Sequence, residues 1–310
     1  MQFSFARHWA AACLAGVTAI ACPVASAEQT ATGATARHDQ AEPAVTLPDS
    51  RTFTLQSAAG KTYRIFVALP PGPPPAQGYA TLTVLDGNAY FASMAEAMRS
   101  LQAFPQVYSK EDKRTAYPTL VVGVAYPGDA VLDGQRRSWD FLPPSSHAED
   151  IERLRGGQPG GADAFLDFLT GELRPALARR YPLHNTQHTL AGHSLGGYFV
   201  LHALTHRPDA FQRYAAISPP TWWDDDRILS DLAQRPLGDA RILLATAQDE
   251  WPAYPDYSSA MLAQARTARD TLIQRGLDAK TLHYREVADE DHMTIPFAMA
   301  AAITRFAALP

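Results

Sequence analysis

The stretch Thr189-Leu190-Ala191-Gly192-His193-Ser194-Leu195-Gly196-Gly197 decides how this chain is read. A short apolar run climbs to a serine fenced by glycines, and the helix-like run Tyr198-Phe199-Val200-Leu201-His202-Ala203-Leu204 follows it. This is a G-x-S-x-G turn between strand and helix, which sets a serine hydroxyl on a sharp, strained corner. Gly192 and Gly196 are expected to leave room where a side chain would strike a neighbouring strand or helix. A helix starting after Ser194 would aim free N–H groups and its positive dipole end at the serine, where oxyanion charge would develop.

A nucleophilic serine needs a base, an acid and a second oxyanion donor, normally in the chain order Ser, acid, His. Asp289-Glu290-Asp291-His292 follows the last strand-like run, and His292 is the expected general base. His193, in the variable position of the turn, and His202, His206 and His283 read as structural or solvated. The acid should follow the preceding strand, where Ala247-Gln248-Asp249-Glu250 offers two carboxylates. Glu250 is favoured to orient His292 and stabilise its imidazolium, with Asp249 as the runner-up. Asp224, behind the pair Trp222-Trp223, is a third candidate, and a Ser-His dyad without an acid also fits. One oxyanion donor is expected from the Leu195 N–H, next after the serine. The other is expected from the loop Asp86-Gly87-Asn88, through the Asn88 N–H or else that of Gly87.

The 310 residues are 46% hydrophobic, enough for a sizeable core, and a net charge of −5 offers no basis for nucleic acid or an anionic membrane as partner. Residues 1–27 read as a signal peptide: Arg7 and His8 precede an apolar run over 9–20, and Ala25-Ser26-Ala27 is an A-x-A cleavage site. Both cysteines, Cys13 and Cys22, lie in that piece, so the mature chain would hold no thiol, disulfide or cysteine-based metal site. Lipidation at Cys22, after Ala19-Ile20-Ala21, and an uncleaved anchor are the competing readings. The expected address is a bacterial periplasm. Residues 28–49, rich in Ala, Thr, Gln and Pro without periodicity, read as a disordered linker, and 50–310 as one catalytic domain.

Within that domain, alternation over 51–55 and 63–69 predicts a β-hairpin. Buried strands are expected over 80–85, 119–125, 214–218, 241–246 and 281–287, besides the run into Ser194. Helical patterns cover 90–101, 162–180, 257–275 and the stretch after Pro296. Continuous apolar strands alternating with helices describe a mostly parallel sheet covered on both faces, an α/β fold.

With these residues in view, the chain resembles the putative-esterase branch of the α/β-hydrolases, within it the periplasmic esterases that open catecholate siderophore trilactones. The likeness is carried by residues 84–91 (V-L-D-G-N-A-Y-F), 136–143 (R-R-S-W-D-F-L-P), 191–197 (A-G-H-S-L-G-G) and 217–224 (I-S-P-P-T-W-W-D), with His292 after the last strand. It implies the α/β-hydrolase fold and a serine esterase of small-molecule esters working without metal or cofactor. General exported carboxylesterases and feruloyl-type esterases or acyltransferases are the neighbouring alternatives, and a non-catalytic siderophore carrier is a third. The acid-bearing turn departs from the family's glycine-started loop, which leaves the choice between Asp249 and Glu250 open. An anionic ferric catecholate would suit Arg136 and Arg137, and Trp222 and Trp223 could stack on catechol rings. Alternatively, the arginines hold Asp140 and the tryptophans pack beneath a loop.

Overall fold

The computed structural model describes residues 44–104 and 115–310. The expected signal peptide and residues 28–43 of the expected linker lie outside the described residues. Thr46–Pro310 form one compact unit.

The expected hairpin forms β1 (Ser50–Gln56) and β2 (Thr62–Ala68), paired antiparallel. β3 (Tyr79–Val84) leads into α1 (Gly87–Ala103), and β4 (Thr119–Ala125) follows. Two short helices, α2 (Gly134–Phe141) and α3 (Ala148–Arg153), occupy a stretch for which no helix was expected. The residues are too few and too polar there to show a helical period. The helix expected over 162–180 is three pieces: α4 (Ala162–Asp167), a π-helical turn (Phe168–Leu173) and α5 (Arg174–Ala178). β5 (Leu183–His193) runs to the serine and α6 (Leu195–His206) leaves it. β6 (Arg213–Ile217), α7 (Trp223–Gln234), β7 (Arg241–Ala247), α8 (Pro255–Gln274), β8 (Leu282–Val287), α9 (Ile295–Ala298) and α10 (Ala300–Ala308) complete the chain. α7 also escaped the sequence reading, because it opens on Asp224, Asp225 and Asp226, all with φ above 50° in a left-handed turn.

The eight strands form one sheet in the order β1-β2-β4-β3-β5-β6-β7-β8. Only the β1–β2 and β2–β4 pairs are antiparallel; from β4 to β8 every pair is parallel. Successive residues of the central strands feed two cores. Leu190, Tyr214, Ala216, Ile242 and Leu244 pack with residues of α4, α6, α7 and α8. Ala191, Ala215, Ile217, Leu243 and Ala245 pack with residues of α1, α9 and α10. Helices therefore cover both faces, which is why β3, β4 and most of β6 and β7 are buried on successive residues rather than on alternate ones. Each fully buried Leu, Ile or Phe contributes about 1.5–3 kcal/mol, so the two cores together make a stiff platform. The chemistry-bearing loops leave its carboxyl edge, after β3, β5, β6, β7 and β8, where open parallel sheets present their crevice.

Candidate active site

Ser194 sits at φ 57°, ψ −124°, a conformation that costs energy for a residue with a side chain and persists only where neighbours impose it. Its N–H donates to the Ile217 carbonyl at 2.9 Å, and its carbonyl accepts from Tyr198 N–H at 2.9 Å, so β6 and α6 clamp the corner from both sides. A Cβ at Gly192 would run into the Gly196 carbonyl, and one at Gly197 would lie 2.7 Å from the Ile217 carbonyl. At Gly196 a Cβ would meet only ordinary contacts at 3.6 Å. The close approaches thus fall at Gly192 and Gly197, not at Gly192 and Gly196 as expected.

The loop after β8 brings His292 to the serine. His292 Nε2 lies 3.0 Å from Ser194 Oγ, and Nδ1 lies 2.7 Å from Glu250 Oε2. The His292 N–H also donates to the Glu250 carbonyl at 2.9 Å, which pins the two loops together by backbone as well as side chain. Glu250 is fully buried. Its Oε1 accepts from Ser218 Oγ at 2.6 Å, Thr246 Oγ1 at 2.6 Å and Ala247 N–H at 2.9 Å. Burial alone would raise this carboxyl, but the hydrogen bond and charge of His292, with the Ser218 and Thr246 donors, outweigh it and hold the group below the usual glutamate range. Asp249 points elsewhere: it is exposed and accepts from Ser258 Oγ at 2.9 Å. Asp224 lies beside Arg227 and His147 in the left-handed turn of α7.

Leu195 and Asn88 are the first residue of α6 and the second of α1, positions whose N–H groups have no acceptor within their own helix. The Asn88 side chain clasps the loop after β4. Its Oδ1 accepts from Tyr126 N–H at 2.8 Å, and its Nδ2 donates to the carbonyls of Tyr126 at 3.2 Å and Gly128 at 3.3 Å. Asp86, in the left-handed region at φ 50°, turns the chain into α1.

Arg137 is committed to the protein, with its guanidinium against Asp86. Nε donates to Oδ1 at 3.1 Å and Nη2 to Oδ2 at 2.9 Å, while Nη2 also reaches the His193 carbonyl at 3.4 Å. The pair therefore ties the loop of Asn88 to the residue before the serine, and its double hydrogen bond offsets the desolvation of two buried charges. Arg136 donates to the Thr62 carbonyl at 3.2 Å and lies over the rings of Tyr63 and Tyr126. Neither arginine holds Asp140, which instead accepts from Tyr63 OH at 3.1 Å. Trp223 is fully buried with its indole N–H on the Pro143 carbonyl, so the packing alternative describes it. Trp222 is half-buried; it donates to Tyr257 OH at 3.1 Å and carries the Arg153 guanidinium over its ring.

Around His292 stand His193, which the sequence reads as structural or solvated, and Trp251, which it does not single out. Trp251 stacks its ring on the imidazole, His193 lies 4.6 Å away between ring centroids, and Tyr90 OH bonds His193 Nδ1 at 3.0 Å. Adjacency to Glu250 in the chain was the only available signal for Trp251. Among the described residues, no group of three or more His, Cys, Asp or Glu is arranged to hold a metal ion, and no helix is long and apolar enough to cross a membrane.

The family model described as "Putative esterase" matches residues 56–302. The ferri-bacillibactin esterase BesA of Bacillus subtilis is 31% identical over 277 residues, covering 86% of this chain and 92% of that protein. The crystal structure of the BES protein from Bacillus cereus superposes with a TM-score of 0.72 at 26% identity, over 87% of this chain and 98% of that one. The siderophore hydrolase EstB from Aspergillus nidulans superposes with a TM-score of 0.64 at 27% identity, over 86% and 97%.

Proposed function

Because this chain belongs to the putative-esterase family of α/β-hydrolases and is an ester hydrolase, we propose that Ser194, His292 and Glu250 form its catalytic triad and that its substrate is a siderophore ester, such as a catecholate trilactone. The observation that carries the triad is the unbroken line from Ser194 Oγ through both nitrogens of His292 to Glu250 Oε2, at 3.0 and 2.7 Å. A charged Glu250 accepting from Nδ1–H leaves Nε2 as the acceptor facing the serine, the tautomer a general base requires.

In the first step Ser194 Oγ bonds to the ester carbonyl carbon while its proton passes to His292 Nε2. The carbonyl oxygen becomes an oxyanion held by the N–H groups of Leu195 and Asn88. Collapse breaks the bond to the leaving alcohol, whose oxygen takes the proton from Nε2, and leaves an acyl-serine. Water then adds to the acyl carbon as its proton moves to Nε2, and return of that proton to Ser194 Oγ releases the carboxylic acid. Arg137 acts here through Asp86 and the His193 carbonyl, by keeping the Asn88 loop in register with the serine.

The siderophore reading is supported by the similarity to siderophore esterases such as BesA, and the export reading by the pattern of residues 1–27, taken as a signal that sends the domain to a periplasm. Ser194→Ala should abolish ester turnover and fluorophosphonate labelling with the fold intact by circular dichroism; retained turnover would overturn the triad. A panel of ferric and iron-free trilactones, feruloyl esters and short-chain aryl esters tests the substrate. A trilactone should have the highest kcat/KM, and a much higher value for simple aryl esters would remove the siderophore reading.

A further inference from the structure

The half-buried Trp251 is the residue after Glu250 and has no part in the triad, yet its ring lies face to face with the ring of His292, centroids 4.7 Å apart and planes inclined by 26°. Its position is built rather than incidental. The Trp251 N–H donates to Ser258 Oγ at 3.0 Å, Ser258 Oγ donates in turn to Asp249, and the Trp251 carbonyl accepts from Tyr254 N–H at 2.7 Å. The buried indole N–H has no hydrogen-bond partner, so hydrogen bonds hold this residue through its backbone, and its ring is left to packing. An aromatic face carries negative charge density and attracts a cation within about 6 Å of its centroid, more strongly for tryptophan than for any other side chain.

Resting on the triad proposed above, we infer that Trp251 is a positioning and electrostatic partner of His292: its indole face stabilises the imidazolium that exists only while the proton is in transit. The other ionisable groups around the imidazole are consistent with one cation there. Glu250 accepts from Nδ1, and Ser194 stands at Nε2. His193 leans on the ring from β5, and burial, with the charges of His292 and Arg137, pushes its own basicity far down, so it adds no competing positive charge. Tyr90 reaches from α1 to His193, and Arg137 from α2 to the His193 carbonyl. On its own loop Asp289 and Glu290 precede, and Asp291 spends its Oδ1 on the N–H groups of Met293 and Thr294.

The same stacking also shields the imidazole from water, which disfavours its charged form. The two effects have opposite signs, and the sign decides between them. The test is the pH profile of kcat/KM toward a short-chain aryl ester for the full chain and for Trp251→Phe and Trp251→Leu, with Trp251→Met in place of the leucine variant if that one does not fold. If the indole face stabilises the imidazolium, loss of the face moves the acid limb of the profile to lower pH by about 0.4–1.5 and lowers the plateau about 2–30-fold. Trp251→Phe should recover most of both. An acid limb that stays put or moves to higher pH, or leucine and phenylalanine variants that behave alike, would overturn the inference. Turnover by the parent that does not depend on Ser194 would instead sink the triad itself, which the fluorophosphonate label reads separately.

Discussion

Two carboxyl groups, Glu250 after β7 and Asp140 in the last turn of α2, are both withdrawn from water, and their affinities for a proton shift in opposite directions. Glu250 takes donors from Ser218, Thr246, the Ala247 N–H and His292, and is held below the ordinary glutamate value. Asp140 has Tyr63 OH at 3.1 Å and the Lys61 ammonium no nearer than 3.9 Å, and burial pushes it up to about 6. Burial therefore sets the penalty on charge, and the number and closeness of donors decide whether it is overcome. One carboxyl holds its charge further into acid than an ordinary glutamate; the other takes up a proton on mild acidification.

The pair also respond to pH with opposite sign. Glu250 binds its proton less tightly in the folded chain, so its contribution is complete above its unfolded pKa and is lost as pH falls through the folded one. Asp140 binds its proton more tightly when folded, so stability is lost as pH rises from the unfolded value of 3.8 through about 6.

The largest effect should come from breaking the charged member. Glu250→Gln keeps the volume but removes the charge that orients His292, and should lower kcat about 10²–10⁴-fold in a steady-state ester assay. Wild-type turnover in that variant would assign the chemistry to the Ser194–His292 pair alone. Next, Asp140→Asn should gain on the parent by about 1–3 kcal/mol as urea denaturation is repeated from pH 4 to pH 7, because it has no proton to lose over that interval. A constant difference would mean that folding does not raise the Asp140 pKa. The smallest effect is expected beside the site, where Asp249→Asn should leave kcat within about twofold and stability within about 0.5 kcal/mol, as for an exposed side chain away from special features. A loss there comparable with that of Glu250→Gln would exchange their roles.

How much of this was legible in the chain follows from the range of each interaction. The corner at Ser194 is local: its glycines, apolar strand and following helix are contiguous, and even there the choice of Gly197 over Gly196 needed the carbonyl of Ile217 on another strand. That His292 would face Ser194 could be expected from order alone, since the expected chain order puts the histidine after the last strand. Arg136, Arg137, Trp222 and Trp223 stood open between substrate contact and internal packing because exposed and buried copies of such residues are identical in sequence. Only their partners, Asp86, Thr62, Tyr257 and Pro143, show where each is committed.

By itself, the sequence determined the architecture and the strand-turn-helix corner at Ser194, because both rest on periodicity and on backbone constraints that operate over a few residues. The tertiary structure alone set Glu250 rather than Asp249 against His292, Arg137 on Asp86 and Trp251 on the His292 ring. Those outcomes depend on which loops at the sheet's carboxyl edge face one another, and on how many donors reach a buried charge, quantities that neighbours in sequence do not set.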